Sequence, residues 1–241
     1  MSVLLTEDRG AVRILTMNRP EKRNALNTEL TRTLLEALHR AEEDQPVSCV
    51  VLTGAGKGFC AGADLSEFKD LTPEKQHRVD ERAELSMQLH LVFSKMAKPV
   101  VTAVNGAAMG GGAGLAIAGD LAVMALGATL GYPEVRHGIV AAIVMANLVR
   151  QVGRKTAFEL VSLGEPIDAA KALSLGIVNR VVGEGEALGA AVSMAEKLSK
   201  IDAQALRATK ALFHEVADLP LDEALRRGRE SNKRMRAFRK A

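Results

Sequence analysis

Aromatic residues are scarce in this sequence, which has no Trp, one Tyr and six Phe. Aromatics make up 3% of the chain, so modules that stack nucleic-acid bases on aromatic side chains lack their main component. Nucleic acid is therefore not the partner that this sequence favours.

Cysteine and long apolar runs are also in short supply. Cys49 and Cys60 form no metal-binding or redox pattern, which excludes a disulfide-stapled miniprotein and predicts reduced thiols. The longest apolar runs are interrupted by Asn105, Gly106 and Asp120, well short of the ~18 residues that span a bilayer. The opening residues, MSVLLTEDRG, show no basic region and no cleavage site of an export signal. We therefore expect a protein without membrane association, located in the cytoplasm.

The composition is that of a folded chain. The 241 residues are 47% hydrophobic and 25% charged, with a net charge of +3, which excludes disorder and fits one large domain, alone or with a small appendage. Residues 221–241 carry eight Lys and Arg against three acids, whereas the rest of the chain is nearly neutral. Three explanations of this basic segment are open: it keeps the protein soluble, it contacts another subunit, or it binds an anionic partner such as a phosphate.

A repeated pattern of strand, glycine-rich turn and helix organises the first two thirds. An N-terminal hairpin precedes a helix that starts near Thr28 behind a cap at Asn27. Short apolar strands at 47–52 and 100–105 are each followed by a glycine-rich turn (53–62 and 106–112), with helices predicted from Asp64 and over 114–118. A third strand at 121–125 precedes Tyr132-Pro133-Glu134. Strands that alternate with helices predict an α/β fold with a parallel sheet.

The last third is predicted to be mostly helical. Asp168 caps a segment that ends at Gly176, and a short extended stretch reaches Val182. Helices are predicted over 186–200, 203–217 and 221–238.

Several common binding and catalytic motifs are absent from the sequence. The loop around Lys57 lacks the Ser or Thr that a phosphate-binding loop places after its Lys, and Leu115 occupies the third glycine of a dinucleotide fingerprint. No G-x-S-x-G nucleophile motif occurs. The five histidines show no metal-ligand spacing, so each is expected to be a surface or packing residue and no metal site is predicted.

The glycine-rich turns are the feature of the sequence that indicates a catalytic site. Turns at the C-terminal ends of neighbouring strands, each leading into a helix, would bring two backbone N–H donors to one oxygen, as in an oxyanion hole. Glu134, near the same sheet edge, adds one carboxylate. Backbone donors and one carboxylate suit proton abstraction next to a carbonyl.

Six segments together resemble the enoyl-CoA hydratase/isomerase (crotonase) superfamily, in order and spacing along nearly the whole chain. They are Asn24-Ala25-Leu26, the run GFCAGADL at 58–65, the run VNGAAMGGG at 104–112, Asp120-Leu121, Pro133-Glu134 and Gly176-Ile177-Val178. The resemblance implies a spiral of ββα units over residues 1–184 and a helical trimerisation region over 185–241. It also implies an acyl-CoA thioester substrate in fatty acid metabolism, no separate cofactor, and a homotrimer or dimer of trimers.

The resemblance also implies roles for particular residues. The backbone N–H groups of Ala63 and Gly111 would bind the thioester oxygen and stabilise an enolate, with Glu134 as the acid/base. Asp120 matches a family aspartate that is expected to be structural. The residues expected along the CoA moiety are Lys22, Arg23, Ala25, Ala61, Asp64 and Leu65.

One departure from the family pattern bears on the reaction. Hydratases of the family use a second glutamate two residues after the glycine triplet, where this chain has Gly114. A single Glu134 favours isomerisation, or a hydration whose second group comes from elsewhere. The alternatives are a decarboxylase or thioester hydrolase of the same superfamily, and a non-catalytic CoA- or RNA-binding protein.

Overall fold

The computed structural model describes residues 2–70 and 73–236, so the last residues of the helix predicted over 221–238 lie outside the described residues. The strands form two sheets. A six-stranded sheet has the order β1-β2-β3-β5-β7-β10, and a four-stranded sheet has the order β4-β6-β8-β9. In chain order the strands are β1 (Leu4–Arg9), β2 (Val12–Met17), β3 (Cys49–Gly54), β4 (Gly58–Cys60), β5 (Val100–Val104), β6 (Ala107–Met109), β7 (Leu121–Ala125), β8 (Thr129–Gly131), β9 (Ile167–Asp168) and β10 (Arg180–Val182).

The larger sheet is parallel except at its first strand. β1 and β2 form the predicted antiparallel hairpin, which turns at Gly10 with a φ of 58°. From β2 onwards each neighbouring pair is parallel. The prediction of an α/β fold with a parallel sheet is confirmed, whereas the smaller sheet was not foreseen.

Helices connect and cover the sheets. In chain order they are α1 (Thr28–Glu43), α2 (Gln76–Lys95), α3 (Gly111–Ala118), α4 (Val144–Val152), α5 (Arg154–Leu163), α6 (Ala169–Ser174), α7 (Ala187–Ser199), α8 (Ala203–Val216) and α9 (Leu221–Arg236). The predicted caps are confirmed, because Asn27 Oδ1 accepts from the Leu30 N–H at 2.9 Å and Asp168 Oδ1 from the Lys171 N–H at 2.7 Å. The helix predicted from Asp64 begins one residue later, as the short 3₁₀ helix Leu65–Asp70.

The central strands are buried on both faces. Leu52 and Val104 belong to a core that includes residues of α1, α2 and α3, whereas Val51 and Val101 belong to a second core that includes residues of α7. Strands covered on both sides read as continuous apolar runs. This explains why β3 and β5 show no alternation of polar and apolar residues.

The last two helices differ from the rest. α8 and α9 pack against each other, and Lys210 is the one buried residue in the described parts of both. Phe213, Leu221 and Leu225 are exposed. The division into a core with the active site over residues 1–184 and an oligomerisation region over residues 185–241 stays a prediction. Within residues 2–70 and 73–236, none of the helices has the length and apolar character to cross a membrane.

Candidate active site

Two glycine-rich loops lie side by side beyond the C-terminal ends of β3 and β5. These strands are parallel neighbours, and the chain that leaves each of them forms β4 and β6, which are again parallel neighbours. The loops touch through their backbones. A Cβ on Gly106 would overlap the carbonyl of Lys57, and a Cβ on Gly112 would overlap the carbonyl of Cys60. Only glycine permits so close an approach.

The amide of Ala63 is oriented by an isolated bridge to Leu26. Leu26 donates its N–H to the Gly62 carbonyl at 2.7 Å and accepts from the Asp64 N–H at 3.0 Å. Because successive residues of an extended chain face opposite ways, the Ala63 N–H points away from Leu26. The expectation that a helix end presents this donor is therefore wrong for Ala63. Gly111 is the first residue of α3, so its N–H lies at a helix end.

The two amides are neighbours. A Cβ on Gly111 would lie 3.9 Å from the Ala63 nitrogen, and a Cβ on Gly62 would lie 3.3 Å from the Gly111 nitrogen. Neither N–H donates a hydrogen bond to another group in the part of the chain that the structure describes. Two unpaired donors this close can serve one acceptor oxygen.

Glu134 stands beside the same turn. It belongs to a 3₁₀ helix, Pro133–His137, that follows β8, and its Oε1 lies 2.9 Å from the position of a Cβ on Gly110. Gly110 has a φ of 53°, so glycine is required there for backbone conformation as well as for space. Glu134 Oε2 is buried and has no hydrogen-bond partner among the described residues. Burial raises the pKa of Glu134, a perturbation that is common among carboxyl groups that act as acids or bases in active sites.

Tyr132 is a second polar group left unsatisfied here. Its side chain is fully buried, and its hydroxyl has no hydrogen-bond partner among the described residues. Burial, together with the charge of Glu134, raises the pKa of the phenol, which therefore stays protonated. Buried polar groups without hydrogen-bond partners are rare in folded proteins. Two such groups within three residues indicate that this part of the structure serves a function and not stability alone.

Most of the residues expected along CoA lie on two adjoining loops. Lys22 ends a 3₁₀ helix and Arg23 follows it with a φ of 50°; both side chains are exposed. The Arg23 carbonyl accepts from the Ala61 N–H at 2.9 Å, which joins the loops. Ala25 is buried, and its carbonyl accepts a hydrogen bond from Arg19 at 2.5 Å.

Asp64 and Leu65 differ sharply in exposure. Asp64 is buried, accepts a 2.6 Å hydrogen bond from the Ser66 hydroxyl and pairs with Arg19 at 2.9 Å. The Ser66 hydrogen bond, and next the hydrogen bond from Arg19, hold the pKa of Asp64 below its usual value. Its carboxylate thus stabilises the loop. Leu65 is 48% exposed and presents an apolar surface next to it.

One side chain in this region has a position that its sequence neighbours do not indicate. His90 of α2 lies against α3, with its Nε2 3.4 Å from the Gly111 carbonyl and 2.7 Å from the position of a Cβ on Gly114. It was expected to be a surface or packing residue like the other histidines. Because α2 and α3 are joined by a long connection through β5 and β6, no local motif links His90 to Gly114.

Comparisons with known proteins agree on one family. A family model described as enoyl-CoA hydratase/isomerase matches residues 7–237. A Thermus thermophilus protein whose name assigns it to the enoyl-CoA hydratases is 42% identical over 222 residues, which is 91% of this chain and 87% of that protein. The 2,3-dehydroadipyl-CoA hydratase of Escherichia coli is 36% identical over 233 residues, 95% of this chain and 89% of that protein. The crystal structure of an enoyl-CoA hydratase from Mycobacterium smegmatis has a TM-score of 0.91 at 31% identity, covering 97% of this chain and 90% of that one.

Proposed function

Because the chain belongs to the enoyl-CoA hydratase/isomerase family, we propose that it adds water to a 2-enoyl-CoA thioester through an enolate intermediate. Family membership confirms the resemblance seen in the motifs and makes the chain an enzyme of the lyase or isomerase type. The observation that carries the proposal is the pairing of two adjacent, unbonded amides, Ala63 and Gly111, with the buried carboxyl of Glu134.

The amides act on the thioester oxygen. When a nucleophile adds at C3, or a proton leaves C2, negative charge gathers on this oxygen, and two preorganised N–H donors stabilise the charge. Glu134 gives a proton to C2 or takes one from it. Its raised pKa lets the carboxyl hold a proton for part of the cycle.

CoA is part of the substrate here, and no separate cofactor is proposed. The exposed cations of Lys22 and Arg23 suit its phosphates, and exposed Leu65 suits the apolar arm. Ala25, Ala61 and Asp64 would line the same path through the backbone of the two joined loops.

The proposal also includes the oligomeric state and the cellular location. The exposed apolar residues Phe213, Leu221 and Leu225 on α8 and α9 favour a contact with another copy of the chain. We propose the homotrimer or dimer of trimers that the family resemblance implies, with residues 185–241 as the contact region. We also propose the cytoplasmic location that the sequence analysis expects.

Isomerisation is the second candidate function. It is favoured by Gly114, since moving a double bond needs one base that takes and returns a proton, and Glu134 supplies that base. Hydration is placed first because the relatives named above are hydratases.

Proton NMR of crotonyl-CoA with the enzyme in D₂O tests the proposal. We expect a 3-hydroxyacyl product that carries deuterium at C2. A shifted double bond with deuterium and no hydroxyl product would favour the isomerase. No change in the spectrum would contradict both functions.

Substitution of Gly111 tests the amide pair in the same assay. Proline is tolerated at the first position of a helix but has no N–H, so Gly111→Pro should lower the rate about 10²–10³-fold. Gly111→Ala is the matched control, because it keeps the N–H and its methyl group meets flexible Leu26 at 3.3 Å. Equal rates for the two variants would remove Gly111 from the proposed role.

A further inference from the structure

The side of α3 that faces α2 holds an imidazole where a side chain at position 114 would project. A Cβ on Gly114 would overlap Val144 and lie 2.7 Å from His90 Nε2. No carboxylate can be built from position 114 without displacing this ring. The ring and Gly114 therefore fit each other as a pair.

The hydrogen bonds of His90 define which ring nitrogen is basic. Nδ1 lies 2.9 Å from the Ser86 carbonyl, one turn earlier on α2. A carbonyl only accepts, so Nδ1 carries the hydrogen and Nε2 of the neutral ring keeps its lone pair. Nε2 is 3.4 Å from the Gly111 carbonyl, which is also an acceptor and leaves that lone pair unused.

The surroundings keep the ring neutral. Burial lowers the pKa of His90, and the nearby charge of Arg82 lowers it further. Arg82 is held in place by hydrogen bonds of 2.7 Å to the Ser86 hydroxyl and to the Leu26 carbonyl. α3, which packs against the ring, has no titratable side chain over Gly111–Ala118, and α4 contributes apolar Val144. A neutral imidazole with a free Nε2 is a base ready to accept a proton.

His90 and Glu134 approach the same helix end one turn apart. Glu134 Oε1 lies 2.9 Å from a Cβ position on Gly110, and His90 Nε2 lies 2.7 Å from the Cβ position on Gly114. The Gly114 N–H donates to the Gly110 carbonyl at 2.9 Å, which closes the first turn of α3. The carboxyl of Glu134 and the imidazole of His90 therefore flank the first turn of α3, where side chains at positions 110 and 114 would lie.

We propose that His90 is a catalytic residue that activates water for hydration, with Glu134 as the partner acid; this inference rests on the proposed function. Nε2 takes one proton from water while the oxygen bonds to C3. The C2–C3 π electrons move towards the thioester oxygen, and protonated Glu134 then gives its proton to C2. The product gains the hydroxyl and one hydrogen. The proton on His90 returns to Glu134 through solvent, which resets both groups.

His90→Gln separates this role from that of Glu134 when two reactions of the same enzyme are compared. Hydration of crotonyl-CoA should fall about 100-fold or more in kcat. Exchange of the C2 protons of butyryl-CoA with D₂O, which needs the enolate but no added water, should stay within a few-fold of wild type. His77→Gln is the matched control, since His77 is exposed on the same helix.

The outcomes distinguish the two proposals. If the wild type catalyses neither reaction, the proposed function fails and the role of His90 with it. If the wild type hydrates and His90→Gln hydrates equally well, only the role of His90 fails. Equal losses of hydration and exchange in a folded His90→Gln enzyme would also overturn the role, since they would indicate a packing residue.

Chemical rescue of a second variant tests the role of His90 if His90→Gln does not fold. In His90→Ala, added imidazoles should restore hydration, with rates that rise with the pKa of the imidazole. A structural filler would restore the rate according to its size alone, and that result would overturn the proposal.

Discussion

Two carboxylates, Asp120 and Glu134, show how differently this fold treats the same chemical group. Asp120 Oδ2 accepts from the Val100 N–H at 2.7 Å and from Lys210 Nζ at 2.7 Å, while Oδ1 lies 3.4 Å from His214 Nε2. Glu134 Oε2 has no hydrogen-bond partner among the described residues.

The difference in partners separates structure from chemistry. Asp120 ties the start of β5 to α8, because Lys210 also donates to the Lys98 carbonyl at 3.0 Å. The carboxylate of Asp120 thus serves to hold two elements together. Glu134 is left unsatisfied where burial opposes its charge, which is costly for stability and useful for proton transfer. The expectation that Asp120 is structural agrees with its partners.

The sharpest test of the comparison is Glu134→Gln, for which we expect the largest effect. The amide keeps the shape of the side chain but cannot exchange the proton, so kcat for crotonyl-CoA hydration should fall about 10²–10⁴-fold. KM should change little, because Glu134 is not among the residues assigned to CoA. Steady-state kinetics measure both constants. A kcat within tenfold of wild type would remove Glu134 from the mechanism.

Asp120→Asn should show the opposite behaviour, a loss of stability with the chemistry preserved. The variant leaves the Lys210 ammonium, 5% exposed, without its counter-ion, and breaking a buried pair costs about 3–5 kcal/mol. Urea unfolding measures this loss, while kcat per folded molecule should stay within a few-fold of wild type. Adding Lys210→Met should recover part of the lost stability. A stable but inactive Asp120→Asn enzyme would undo the distinction drawn between the two carboxylates.

The parts of the fold that were predictable from sequence depend on neighbours along the chain. The cap at Asn27 and the apolar runs of β3 and β5 follow from local chemistry and periodicity. The smaller sheet escaped detection because β4, β6 and β8 have three residues each, too few to show a period. The helix predicted from Asp64 could not be identified as 3₁₀ from the sequence, because the 6 residues of Leu65–Asp70 are too few to show a helical period.

The candidate site was predictable only in part for the same reason. Glu134 and the glycine run stand out as motifs, and the structure brings them within contact of each other at Gly110. His90 carries no such signal. Its environment is created by α3 and α4, which follow it in the chain, and by the absence of a side chain at Gly114. Only packing in three dimensions could reveal it.

The smallest effect we expect is a gain in stability from Glu134→Gln. Burial raises the pKa of Glu134 in the folded enzyme above its ordinary value of 4.5. Between these two pKa values the folded state holds a proton that the unfolded chain has released, so the contribution of Glu134 to stability is full below pH 4.5 and is lost as the pH rises through the folded pKa. At pH 8 the variant should therefore melt above wild type, and the difference should shrink as the pH approaches 4.5. Thermal unfolding of both proteins across this range tests the sign, since other titrating groups cancel in the difference. A variant less stable than wild type at pH 8 would show that the Glu134 charge is stabilised in the fold, as that of Asp120 is, and the contrast between the two carboxylates would be lost.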